Sequence, residues 1–306
     1  MGISAFNYPY NSINIQQVGT IDNYRKTMRH NSTVLNNDVF IRTNASTVYS
    51  KRELERLFPN GELNNIYNNI INEYGLENVP QLEYIYDSKG ENDYASANHI
   101  TNKIKLNLDN LLSPNMYKFA IEKNGTKTFC YDEDLDRIKI IRTTDKNVLN
   151  EINEYNKYQG ADKSEAIPLT DDDKRKLVIF TLAHELRHCY QNQIIRHTEG
   201  LDGFKMIELQ LKNNPNKPKM NMIDEKIMYI NLEKEYDKHH SKDENTKMYT
   251  QNSKEGKLAI EWYNAVVNYV DFNKDYEGYK NNAIELDANK TAHQYLIKNY
   301  GNFSEN

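Results

Sequence analysis

Residues Phe180 to Gln191 read F-T-L-A-H-E-L-R-H-C-Y-Q, with His184-Glu185-Leu186-Arg187-His188 at the centre. On a helix, positions i and i+4 share a face one turn apart, so both imidazoles can point at one atom. The intervening Glu185 can lie beside a metal-bound water and take its proton. Leu177, Val178, Phe180, Leu182, Ala183 and Leu186 make the segment apolar, as a helix beneath a cleft requires. Upstream, Thr170-Asp171-Asp172-Asp173 supplies a capping hydroxyl and acidic first-turn residues, which together predict a helix over about 170–195. The histidines then fall about four turns into it.

Two histidines and an adjacent glutamate at this spacing form the H-E-x-x-H pattern of zinc metallopeptidases. A surface turn whose histidines merely cap or pair is the alternative origin of the five letters. A catalytic zinc takes three protein ligands and keeps one position open, so a third ligand decides between the two. A metzincin continuation is absent, because Gln191 and Ile194 stand where its glycine and histidine belong. His197 is a weaker candidate, expected past the helix end. Asn282-Ala283-Ile284-Glu285-Leu286-Asp287-Ala288-Asn289 lies in a helical pattern with Ile284, Ala288, Ala292, Tyr295 and Leu296 near one stripe. Glu285, Ala288 and Asn289 share a face. Glu285 can complete the site, the small Ala288 permits close helix approach, and Asn289 can hydrogen-bond the far nitrogen of a ligand histidine. Asp287 points elsewhere.

H-E-L-R-H followed by E-x-x-A-N resembles the gluzincin arrangement. The E-x-x-A-[DN] form is similar to peptidases related to the CAAX-processing proteases and to the ImmA/IrrE group. The resemblance covers two short helices. It implies His184, His188 and Glu285 as ligands of one Zn²⁺ per chain and Glu185 as general base. It also implies a zincin-like α+β fold: a small antiparallel or mixed sheet, an active-site helix and a mainly helical C-terminal part.

Ile104, Leu106 and Leu108 alternate with Lys105 and Asn107, predicting a half-buried strand of the kind zincins place at the cleft edge. His99 to Lys103 holds turn chemistry and Gln81 to Asp87 reads as a second strand. Leu63, Ile66, Tyr67, Ile70, Ile71 and Tyr74 form an amphipathic helix that stops at Gly75. Residues 112–168 mix short apolar groups with polar loops and suggest a hairpin. A polar helical insertion is expected at about 198–252, with His239-His240 exposed in it. Leu258 to Val270 reads as a further apolar helix. Residues 1–48 read as a flexible polar leader, and 49–306 as one catalytic domain.

A net charge of -5 and the absence of a dense Lys/Arg cluster argue against nucleic-acid binding. Two cysteines make no disulfide framework, and no apolar stretch approaches the roughly 18 residues of a membrane span. The first residues show no secretory signal, so cytoplasmic residence is the expectation, with signal-independent export the alternative. The expected activity is peptide-bond hydrolysis on a peptide or protein substrate, with Tyr279 or His293 stabilising the oxyanion. The alternative is an inactive zincin-fold binding or regulatory module with a structural metal or none.

Overall fold

A computed structural model describes residues 49–86, 94–132, 137–213, 220–240, 248–268, 278 and 281–303. The expected leader and Val270 lie outside them. The chain has an α+β architecture of small sheets and a mostly helical C-terminal part.

After a helical segment over 49–57, α1 (Glu62–Tyr74) buries the apolar face expected of it and ends at Gly75. That glycine adopts φ 66°, a left-handed conformation that lets the helix close and the chain turn away. Strand β1 (Gln81–Ile85) runs parallel to β3 (Lys103–Asn107), and β2 (Ala95–Asn98) pairs antiparallel with the other side of β3. Asn98 Oδ1 accepts from the backbone N–H groups of Ile100 and Thr101, each at 3.0 Å, and so fixes the turn that carries His99. The alternating segment is therefore the central strand, and β2 is the edge that lies against the metal-motif helix. Period-two patterning reports which face is buried; it is silent on which strands hydrogen-bond. Asn107 caps α2 (Leu108–Leu111).

Residues 112–168 hold more than a hairpin. They build a second sheet around β4 (Met116–Lys123). β9 (Lys163–Pro168) pairs along one edge of β4, and β5 (Thr126–Phe129) and β8 (Ile140–Arg142) share the other. Asn124 and Gly125, both at positive φ, make the tight β4–β5 turn. A small ladder joins β6 (Tyr131–Asp132) to β7 (Arg137–Ile138), and α3 (Lys146–Tyr158) packs on β9. β5 and β9 carry few fully buried apolar side chains, which removes the usual strand signal.

Helix α4 (Asp171–Arg196) is the axis of the molecule. Its 26 residues start with a capping box between Thr170 and Asp173, as the sequence suggests. Asp173 does more than cap: its carboxylate lies 3.0 Å from Lys118 Nζ, both side chains being fully buried, rather than in solvent. The N-terminal half of α4, from Leu177 to Leu186, belongs to one apolar core with α1, sheet residues Ile104 and Leu106, and Tyr295 and Leu296.

Its C-terminal end, Ile194 and Ile195, belongs to a second core. The expected polar insertion supplies much of it through α5 (Gly203–Asn213) and α6 (Met222–His239). Phe204, Ile207, Leu211, Met228 and Leu232 pack there with Trp262 of α7 (Lys254–Val267) and Ile284. Helix α8 (Ala283–Tyr300) runs antiparallel to α4: Lys176 reaches the Asn302 carbonyl at one end and Gln191 reaches the Ile284 carbonyl at the other. No helix among the described residues is long and apolar enough to cross a membrane.

Candidate metal centre

The polar residues of α4 lie where the two apolar cores meet. His184 and His188 project from one face of that helix, and Glu285 from the first turn of α8 faces them. Asn282 caps α8 through Ile284 N–H, which sets where the helix starts and hence where Glu285 points. Ala288, one turn on and fully buried, adds only a methyl group between the helices, so α4 and α8 can approach closely.

His184 Nε2 and His188 Nε2 are 3.0 Å apart, and Glu285 Oε2 lies 3.6 and 3.7 Å from them. Four-coordinate zinc with bonds near 2.0–2.1 Å has ligand-to-ligand edges of about 3.3 Å, and the three separations bracket that value. Among the described residues this is the one group of metal-binding side chains whose ligand atoms converge, all within 4.8 Å. His188 and Glu285 are each 1% exposed. The buried group could hold a metal ion.

Neighbouring side chains orient this group. His188 Nδ1 donates to Gln191 Oε1 at 2.8 Å, which leaves Nε2 with its lone pair toward Glu285. Gln191 Nε2 donates in turn to the Ile284 carbonyl at 2.9 Å and to Asp287 Oδ2 at 2.8 Å. One side chain thus ties His188 to the turn that carries Glu285. Asp287 accepts from Arg187 Nε at 2.7 Å and Nη2 at 3.0 Å, and the guanidinium lies over the rings of Tyr190, Trp262 and Tyr74. Asp287 is therefore outside the ligand group, as its position two residues from Glu285 predicts. Asn289 is buried beside His184 and influences its titration, but its Oδ1 accepts no hydrogen bond, so the expected bond to the far ring nitrogen is not formed.

Burial is the largest influence on both imidazoles. It holds His184 well below its ordinary pKa, assisted by the neighbouring His188, while Asn289 opposes the shift. It lowers His188 to about 4 against the opposing effect of its hydrogen bond to Gln191. Both rings are then neutral at pH 7, the form that donates a lone pair to a metal. Glu185 is 2% exposed, next to His184 in the same buried turn.

His197, His239, His240, Cys189 and His293 lie outside the converging group. His197 ends α4 as its C-cap, buried and 3.5 Å from Glu77 Oε2, and is not part of the converging group. His239 pairs with Glu235 at 2.9 Å. His240 is buried, not solvent-exposed, because its Nε2 donates to the His99 carbonyl at 2.5 Å. Cys189 is half-buried against the first core. His293 is buried two turns beyond Glu285 on the same face of α8, while Tyr279 lies outside the described residues.

Gln191 and His99 draw no functional expectation from sequence, and for the His239-His240 pair a second metal site stands only as the alternative to solvent exposure. For Gln191 a signal existed, since an amide three residues after a ligand histidine shares its face. For His99 and His240 none did, because their burial depends on each other across 141 positions. No family model, curated protein or solved structure matches the chain.

Proposed function

We propose that the chain is a zinc-dependent metallopeptidase of the gluzincin kind on a zincin-like fold, hydrolysing peptide bonds with Glu185 as general base. The convergence of two neutral imidazole nitrogens and one carboxylate oxygen, at the edge lengths of a tetrahedral site, carries this reading. Two imidazoles and one carboxylate are a common donor set of catalytic zinc sites. The buried carboxylates of Glu185 and Glu285 beside neutral imidazoles also call for a complementary cation.

His184 and His188 would hold the ion through Nε2, and Glu285 through a carboxylate oxygen. Bound zinc supplies acidification of a coordinated water and polarisation of the scissile carbonyl. Gln191 keeps the His188 ring oriented. Glu185 accepts the water proton on its carboxylate and returns it to the departing amine nitrogen. Burial of the ligand shell excludes bulk water and strengthens each of these interactions.

The test is hydrolysis of a mixed set of quenched fluorescent peptides by zinc-loaded wild type and Glu185→Gln. Cleavage by the wild type, with a drop of at least 100-fold in the variant at unchanged zinc content, supports the reading. Zinc retained by both with no cleavage by either points instead to a binding module built on the same site.

A further inference from the structure

Beyond the metal ligands, the same stripe of α4 continues through Asn192 and Arg196, each four residues further on. All four stripe residues are buried, Arg196 at 4% exposure. Helical side chains lean toward the N-terminus, so the Arg196 guanidinium reaches back toward Asn192 and His188. His99 from the β2–β3 turn accepts from His240 Nε2 through its carbonyl and is within electrostatic reach of His188 and Arg196.

Arg196 Nε and Nη1 have no hydrogen-bond partner, and no carboxylate pairs with this residue among the described residues. Glu77 is near enough to be felt electrostatically, yet its carboxylate lies 3.5 Å from His197 instead. Asn192 Oδ1 accepts from the Tyr236 hydroxyl at 3.4 Å, while Asn192 Nδ2 also has no partner. Three buried N–H-bearing nitrogens therefore lack an acceptor in one region.

The Arg196 stem is tightly held on its Gly203 side. A Cβ on Gly203 would collide with the Tyr236 hydroxyl and the Arg196 stem, and the Tyr236 and His240 rings lie 4.4 Å apart between centroids. The C-terminal carbonyls of α4 favour a cation here. They do not explain N–H groups left without acceptors, which is costly for a buried charge.

We infer that Arg196 and Asn192 form a carboxylate-binding subsite for the peptide substrate. The planar guanidinium fork matches a carboxylate, and Asn192 Nδ2 adds a third donor. His188 and Arg196 are about 12 Å apart along the helix axis, less the backward lean of the arginine. An extended peptide covers about 3.3–3.6 Å per residue. The carboxylate thus belongs two or three residues from the scissile bond, as an acidic side chain or as the chain terminus. His99 and His240, each 8% exposed, are buried neighbours of this region. This specificity rests on the peptidase reading; the anion site itself does not.

The test has a binding arm and a cleavage arm, both on the full zinc-loaded chain. In the first, thermal unfolding is followed with N-acetylglycine and with N-acetylglycinamide. The acid is expected to raise the wild-type midpoint in a concentration-dependent way and the amide not to. Arg196→Met and Arg196→Lys are expected to lose that difference. No acid-specific shift in the wild type overturns the subsite. A shift that persists in both variants also does, since it places the carboxylate on the metal.

In the second arm, three otherwise identical peptides carry a free C-terminus, an amidated C-terminus, or an amidated C-terminus with one internal glutamate. A wild-type kcat/KM preference of tenfold or more for one carboxylate form, falling toward unity in Arg196→Lys, supports the subsite and identifies the source. Cleavage without preference or acid-specific shift removes the subsite and leaves the peptidase. An Arg196-dependent shift with no cleavage of any peptide leaves the anion site and removes the peptidase reading.

Discussion

Gln191 accepts a 2.8 Å hydrogen bond from His188 Nδ1 while donating to the Ile284 carbonyl and to Asp287, so one amide spans the two helices that supply the metal-binding group. Replacing it with leucine keeps the bulk and removes all three bonds. Gln191→Leu is expected to weaken zinc binding by about 10–100-fold, the usual cost of losing a ligand's orienting partner. Competition with a chromophoric chelator measures this. Unchanged affinity would show that the rings are held by packing alone.

Arg187 and Asp287 pair through two hydrogen bonds in a half-buried setting beneath three aromatic rings. Asp287→Ala leaves the guanidinium without its carboxylate and Gln191 with one acceptor fewer. A loss of about 1–3 kcal/mol is expected in urea unfolding. A cycle with Arg187→Ala should show coupling of at least about 0.5 kcal/mol. Additive losses would mean the pair is incidental.

Lys118 and Asp173 form a fully buried ion pair that joins β4 to the start of α4. Lys118→Met strands the carboxylate and is expected to cost about 3–5 kcal/mol. Replacing both partners should not restore wild-type stability, because Asp173 also accepts from the Thr170 N–H and hydroxyl. Urea midpoints of the single and double variants decide it; full recovery in the double would remove the capping role.

The helices that carry the candidate site were legible for a physical reason. α4 and α8 bury apolar residues at helical spacing, and their caps, Thr170 and Asn282, use residue types that announce a helix start. Glu285 and Asn289 could be placed on one face by counting alone. The second sheet was not legible because β5 and β9, two of the partners of β4, are half-exposed, and the third, β8, is only three residues long. Nor was the fate of the 198–252 insertion. Its mixed charge hides Phe204, Ile207 and Leu232, which become core residues only when Trp262 and Ile284 arrive from elsewhere in the chain. The buried polar cluster of His99, His240 and Arg196 is hidden for the same reason.

That cluster predicts a pH response. Burial is the largest cause that lowers His99 to about 3 and His240 to about 4, with Arg196 adding repulsion in both. The unfolded chain titrates near 6.5, so it takes up protons before the folded chain does. Stability from these groups is fully present above about pH 6.5 and is lost as pH falls toward 4. His240 alone accounts for roughly 3 kcal/mol across that window. Urea midpoints at pH 7.5 and 5.0 should fall in the wild type and fall less in His240→Asn; a flat profile would contradict the burial of neutral rings.

Metal content is the decisive measurement for a three-ligand zinc site. Protein purified without added metal is analysed by mass spectrometry beside Glu285→Ala and His188→Ala. About one zinc per wild-type chain, lost in both variants, is the predicted result. No zinc in the wild type, or zinc that survives Glu285→Ala, would contradict it.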